Sequence, residues 1–405
     1  MEFRKILEDM MEQGASDLHM KAGTRPVIRV DGSLQLTSFP APTQKDLEQI
    51  VEQILTPAQR EEFTRTREID FGFGITGLAR FRSNFYYQRG SIAIAIRHVP
   101  LGVPAFEDLN LPSTLKDLAI MPRGLVLVTG TVGSGKSTTL ASMIDLINRT
   151  EAKNIITIED PIEFLHRDEK SVISQREVGL DTESYLAALK HILRQDPDVL
   201  LLGEIRDRET MSVALMAADT GHLVMSTLHT ADATQTINRI VSFYPPHQHD
   251  EVRFLLASNL AAVISMRLIV RADGKGRVPA VEVMINTETI RDYILDPTKT
   301  VLINAAIAEG VAQYGMQSFD QSMMGLFKSN LISLDEAIRN ATNPTEFELR
   351  IKGIQATSDA TWDSFEGQAV EEDSGGSAAN VPLDPNSSDV KLVDPDKPWE
   401  RFEHG

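Results

Sequence analysis

The sequence predicts an α/β protein in three parts: a small α+β domain, a larger domain on a mostly parallel sheet, and an acidic tail. Three observations carry this. Strand-like segments crowd residues 1–100, short apolar runs alternate with helical repeats from Arg123 onward, and composition shifts abruptly after Lys352. The divisions expected are 1–100, a linker at 101–122, a core at 123–352 and a disordered tail at 353–405.

In the first part, Phe3, Ile6, Leu7, Met10 and Met11 recur on one helical face, and Gly14 is a natural stop. The apolar stretches 27–30 and 34–36 flank Asp31-Gly32, a dipeptide that tolerates the positive φ of a hairpin turn. Residues 79–87 and 91–97 read as two further strands. Arg80 and Arg82 share one face of the first by the two-residue period, and Arg97 opposes the isoleucine face of the second. By themselves these three arginines make a cationic patch, whose plainest reading is a solvated surface. Prolines at 100, 104, 112 and 122 mark the linker, which contains a short helix.

The core opens on the most specific signal in the chain. Gly130-Thr131-Val132-Gly133-Ser134-Gly135-Lys136-Ser137 fits the phosphate-binding pattern G-x-x-x-x-G-K-[ST], with Thr138 following. Glycines let the backbone N–H groups curl toward phosphate oxygens, the lysine reaches the β and γ phosphates, and the serine hydroxyl offers an oxygen to Mg²⁺. The flanks agree: 125–129 is an apolar run, while Leu140, Met143, Ile144 and Ile147 follow at helical spacing. The implied ligands are ATP and Mg²⁺.

Three later segments add chemistry. In 156–163, a proline ends a strand and leaves Glu159, Asp160 and Glu163 at its carboxyl end, where a carboxylate can orient water for attack on a γ phosphate. In 199–204, four apolar residues precede Gly203-Glu204, resembling a Walker B strand with Glu204 as a magnesium acid acting through water. In 220–230, His222 and His229 bracket a strand, and one of them could sense the γ phosphate; two histidines fall short of a zinc set. Further strands are expected at 155–158, 199–202 and 223–228. Beyond about Gly276 the chain reads as more helical, with helices at 316–331 and 334–351.

Composition narrows the classes. The net charge of −18 disfavours a general nucleic-acid binder, and the absence of cysteine excludes disulfides and thiolate metal sites. No apolar run reaches the length of about 18 residues that a membrane helix needs. The start, Met1-Glu2-Phe3-Arg4-Lys5, lacks a secretory h-region, so a soluble cytoplasmic protein is expected.

The glycine loop and the three acidic and histidine segments together resemble the type II/IV secretion ATPases, close to the PilT/PilU pilus-retraction branch. The matching blocks run from Gly14-Ala15-Ser16-Asp17-Leu18-His19 to about Lys352. The resemblance implies a PAS-like first domain and a RecA-like ATPase core in a hexameric ring. It implies Glu163 as general base, Glu204 as Walker B acid, and His222 and His229 as a histidine-box pair. It also implies that Arg80, Arg82 and Arg97 meet nucleotide phosphates across a subunit boundary. The implied activity is ATP-driven pilus retraction at an inner-membrane platform protein, with peripheral attachment to that membrane and no nucleic-acid partner. The lack of a tetracysteine insert and the short leader favour retraction over extension. Within the branch, the segments 175–182, 316–321 and 348–352 look PilU-like. PilT carries an A-I-R-N-L-I-R helix, where this chain has Thr289-Ile290-Arg291-Asp292-Tyr293-Ile294-Leu295. A PilU-type protein would work with a PilT-type partner. Two other readings stand beside this one: an accessory ring whose own turnover is secondary, and a RecA-like nucleic-acid translocase.

The tail, 353–405, holds 12 acidic residues against 3 basic ones, and both tryptophans of the chain, Trp362 and Trp399, each begin a W-x-x-F-E motif. A paired docking motif is one reading of that repeat; coincidence, or one copy folding back onto the core, is the other.

Overall fold

The computed structural model describes residues 3–30, 33–99 and 102–352. The tail and its repeated motif lie outside the described residues.

The first domain is a six-stranded antiparallel sheet covered on one face by helices. Its strands are β1 (Asp17–Lys21), β2 (Thr24–Val30), β3 (Ser33–Leu36), β4 (Glu68–Ile75), β5 (Ala79–Gln88) and β6 (Ser91–Val99), in the order β3-β2-β1-β6-β5-β4. The helices are α1 (Phe3–Glu12), α2 (Gln44–Ile54) and α3 (Pro57–Thr66). Ile6, Leu7 and Met10 of α1, Leu47 and Ile50 of α2 and Phe63 of α3 pack with Leu18, Ile28, Phe81, Phe85, Ile94 and Ile96 of the sheet. Burying each such side chain contributes about 2 kcal/mol. The predicted α1 and the β2–β3 pairing are present. Helices α2 and α3 and strands β1 and β4 are additions. Both helices begin with capping boxes, Thr43 with Asp46 and Thr56 with Gln59, which close two otherwise orphaned N–H groups at each start.

The uncovered face of this sheet carries charge in register. Arg29, Asp17, Arg97 and Arg82 stand side by side on β2, β1, β6 and β5. Asp17 accepts from Arg97 Nε at 2.8 Å and lies 3.8 Å from Arg29 Nε. Burial pushes the Asp17 carboxyl up, but Ser16 and Arg97 outweigh it and hold the group below its ordinary value.

The segment after residue 101 holds a short 3₁₀ turn (Phe106–Leu109) and α4 (Thr114–Ala119). Phe106, Leu115, Leu118 and Ala119 are buried in the core of the second domain, so this stretch packs as part of that body.

The second domain is a seven-stranded sheet between helical layers. Its strands are β7 (Gly124–Thr129), β8 (Asn154–Glu159), β9 (Val172–Glu177), β10 (Val199–Leu202), β11 (Leu223–Leu228), β12 (Leu260–Val270) and β13 (Arg277–Ile285). The order is β13-β12-β7-β11-β10-β8-β9, parallel except for β13. Strand β7 is buried along its whole length, with Leu125 and Leu127 in one core and Val126 and Val128 in the other. One layer holds α5 (Lys136–Thr150) with α4. The opposite layer holds α6 (Tyr185–Ile192), α7 (Arg208–Asp219), α8 (Ala233–Ser242) and α9 (His249–Asn259). The expectation of helix beyond Gly276 needs correction: residues 277–285 form β13, whose nine-residue pairing with β12 buries Val278, Ala280, Val281 and Val283. The helices follow it. The helix expected at 334–351 is two, Leu334–Asn340 and Pro344–Ile351, because Pro344 cannot continue a helix and instead starts one.

A buried polar chain crosses the sheet beneath the phosphate-binding turn. Thr129 Oγ1 donates to Ser265 Oγ at 3.1 Å, Ser265 Oγ donates to Glu282 Oε1 at 3.3 Å, and the Ala233 N–H of α8 donates to the same Oε1 at 2.8 Å. Burial pushes the Glu282 carboxyl up to about 7, against the opposing effect of the Ala233 N–H and the Ser265 hydroxyl. The folded protein therefore holds this proton to higher pH than the unfolded chain, whose carboxyl titrates near 4.5. The resulting stability is fully present below about 4.5 and is lost as pH rises through about 7. We expect the difference in unfolding free energy between wild type and Glu282→Gln to change by roughly 3 kcal/mol between pH 4 and pH 8, with the variant gaining at high pH. Denaturant titrations at several pH values measure this, and a constant difference would contradict it.

Candidate active site

Strand β7 ends at Thr129 and α5 begins at Lys136, so the glycine-rich turn is held between a fully buried strand and a helix N-terminus. Gly130 has φ +144°, and a Cβ there would lie 2.5 Å from Ser134 Oγ and 2.6 Å from the Met266 carbonyl oxygen. Only glycine lets the turn seat against β12. Lys136 is 8% exposed, and its Nζ donates to the carbonyls of Gly130 and Thr131 at 3.0 Å each. Burial lowers its pKa, opposed by the charges of Glu204 and Glu163. Ser134 Oγ is buried without a hydrogen-bond partner among the described residues. A buried cation coiled onto two carbonyls, within a turn of inward-curled backbone, fits an anionic phosphate.

A cavity of about 400 Å³ opens beside this turn. Val132, Gly133, Lys136 and Ser137 line it together with Glu163, Glu204 and His229. Strands β8, β10 and β11 are parallel to β7, so the segments following them arrive at the same end of the sheet. Glu163 is exposed at the lip. Glu204 is held by the Arg206 guanidinium and lies 3.4 Å from His229 Nε2. Burial pushes the Glu204 carboxyl up, but the hydrogen bond and charge of Arg206, aided by His229, hold it below the ordinary glutamate value. It is ionised at neutral pH.

The two histidines part company. His229 follows the carboxyl end of β11 and enters the cavity, whereas His222 precedes its amino end. There the His222 carbonyl accepts from Gly124 N–H, and its Nδ1 lies 2.9 Å from the Ala217 carbonyl oxygen. Six residues of strand, about 20 Å, separate the two positions. The three arginines also divide. Arg82, exposed on β5, lines the cavity of its own chain. Arg80 is ion-paired with Glu177 at 2.5 Å, and Arg97 is tied to Asp17; neither lines the cavity. Thr138 lies inside α5 and is not part of the lining either.

Several cavity residues went unassigned in the sequence. Glu159 is half-buried, and Thr157 Oγ1 and Gln175 Nε2 donate to its Oε1 at 2.7 and 3.1 Å. Burial raises its pKa despite those bonds. His166 is driven down to about 4 by burial. Tyr185, at the start of α6, and Arg206, two residues past Glu204, complete the wall. Arg206 was open to discovery, because an arginine so close to a strand-end carboxylate can pair with it. Tyr185 and His166 carried no local signal.

Residues 104–346 match the family described as type II/IV secretion system protein. The chain is 43% identical over 347 residues to the type IV pilus retraction ATPase PilT of Pseudomonas aeruginosa, covering 86% of this chain and all of that relative. It is 39% identical over 361 residues to the type IV pilus ATPase PilU of the same organism, covering 89% of this chain and 94% of that one. A crystal structure of the pilus retraction motor PilT with bound ADP superposes with a TM-score of 0.80 at 42% identity, covering 86% of this chain and 99% of that one. The family match over 104–346 and this extent of likeness place the chain in the type II/IV secretion ATPase family, in the branch that contains PilT and PilU.

Proposed function

We propose that this chain hydrolyses ATP in the cavity around Lys136 and uses the turnover to power type IV pilus retraction in twitching motility. One observation carries the reading: a buried P-loop lysine faces two carboxylates, Glu163 and Glu204, across one cavity at the carboxyl end of a parallel sheet. Relatives named for ATP-driven pilus work, matched over almost their whole length, support it.

Each residue has a task that suits its surroundings. Backbone N–H groups of 133–137 and the Lys136 ammonium hold the substrate's β and γ phosphates. Ser137 and Glu204 present hard oxygen donors that suit Mg²⁺, which when bound neutralises phosphate charge. Glu204 stays ionised because Arg206 and His229 hold it so. Glu163, with no ion pair among the described residues, accepts a proton from the attacking water. Arg82 stabilises charge that develops on the γ phosphate.

The working assembly in this reading is a hexameric ring of PAS-like and RecA-like domains divided near residue 101, cytoplasmic and held peripherally at the inner membrane by the pilus platform. No helix among the described residues is long and apolar enough to cross a membrane. Identity alone, 43% against 39%, does not choose between PilT-like and PilU-like roles. The helix Glu288–Leu295 favours the latter. Its buried positions, Ile290 and Ile294, face the core, while its departures from the PilT pattern include the exposed Asp292 and Leu295. A PilU-type motor would need a PilT-type partner, so retraction in cells should require this chain together with that partner.

ATPase kinetics, nucleotide binding and thermal unfolding of the purified full chain test the site. Lys136→Ala should abolish ATPase activity and nucleotide binding together, whereas Glu163→Gln should lower kcat by about 10²-fold or more while binding persists. Normal turnover in Lys136→Ala would end the assignment. Arg82→Ala should lower kcat by about 10²-fold, and Arg97→Ala should leave kcat within about threefold while lowering the melting temperature. The reverse pattern would reassign the two arginines.

A further inference from the structure

Arg80 and Arg82 share a strand face, yet only Arg82 enters the cavity. Arg80 Nη2 instead donates to Glu177 Oε2 at 2.5 Å, from the first domain to the last residue of β9 in the second. Both side chains are withdrawn from water, 17% exposed for Arg80 and 3% for Glu177. The same Glu177 oxygen accepts the Ile162 backbone N–H at 3.1 Å, and Ile162 immediately precedes Glu163. The loop beyond β9 closes around this residue: Glu177 N–H donates to Asp181 Oδ2 at 2.9 Å, and Asp181 N–H donates back to the Glu177 carbonyl at 2.8 Å.

The first domain is shaped to receive this carboxylate. A Cβ on Gly72 of β4 would lie 2.4 Å from Glu177 Oε1 and 3.0 Å from Arg80 Nη2. Gly72 pairs in register with Arg82, so the bare spot, Arg80 and Arg82 occupy one small area of the sheet face. Arg80 Nε is buried without an acceptor among the described residues, and Nη2 makes the guanidinium's ion pair with Glu177.

We infer that Arg80 and Glu177 form an interdomain latch that positions the Glu163 loop, so that domain closure aligns the base as it delivers Arg82 to the phosphates. This rests on the proposed role of Glu163. The reason is energetic. Removing one partner of a buried ion pair leaves the other charge uncompensated, so Glu177 keeps its buried position and its hold on Ile162 only while Arg80 is present. With the domains apart, Glu177 turns toward water, the Ile162 N–H loses its acceptor, and the base loop relaxes. Arg80 and Glu177 are thus positioning residues that act through the backbone beside Glu163.

The test uses the full chain, with ATPase kinetics, binding of a fluorescent ATP analogue and thermal unfolding on each variant. We expect Arg80→Gln and Glu177→Gln each to lower kcat by about tenfold or more, with KM and analogue affinity within about threefold of wild type. The double variant should be no worse than either single, because the two act as one unit. Gly72→Ala, which crowds Glu177 without changing charge, should lower kcat in the same way. Arg80→Lys, a milder change than either glutamine variant, should also lower kcat with affinity intact. Full kcat in Glu177→Gln, or a tenfold loss of analogue affinity in Arg80→Gln, would overturn the latch and return Arg80 to the phosphates. Multiplicative losses in the double variant would likewise overturn it. Failure of the wild type to bind the analogue would instead refute the ATPase reading.

Discussion

The seating of one turn against one strand sets the geometry of the second domain. Gly130 lies so close to the Met266 carbonyl and the Ser134 hydroxyl that no side chain fits there. That contact fixes where β7 ends, and hence where α5 starts and where its first N–H groups point. Because β8, β10 and β11 run parallel to β7, their following segments converge on the same spot. The carboxylates meet Lys136 because of strand direction, although 27 and 68 residues separate Glu163 and Glu204 from it.

Electrostatics in the cavity then follow from burial. Lys136 is withdrawn from water and, in this structure, bonded to carbonyls that carry only partial charge. A phosphate would replace those weak partners with full negative charge, so binding is favoured where the cation is least satisfied. Glu204 is the converse: Arg206 and His229 fix both its charge and its position. Glu163, exposed at the surface, carries no such tie among the described residues. One acid held ionised beside one left free suits a division of labour between charge compensation and proton transfer.

Much of this was legible in the chain. The P-loop, the apolar strands before each acidic segment and the period-two arginines rest on local geometry, which sequence spacing encodes directly. Strands 125–129, 155–158, 199–202 and 223–228 fall where β7, β8, β10 and β11 lie. Strand β9 was not legible, because Val172–Glu177 alternates apolar and polar residues only weakly and gains its place from β8. Strand β13 was hidden similarly: Pro279 and Glu282 interrupt its pattern, and an edge position tolerates the proline while Ser265 and the start of α8 accommodate the acid.

The sequence by itself determined which chemistry is present: a phosphate turn, acids at strand ends, histidines around one strand and arginines on one face. Those depend on residues near one another along the chain. The tertiary structure alone decided which of them act together. It placed His229 in the cavity and His222 at the far end of the same strand, and it sent Arg82 to the cavity, Arg80 to Glu177 and Arg97 to Asp17. Strand polarity and the packing of one domain on the other set these pairings, and neither is written in the spacing of the residues themselves.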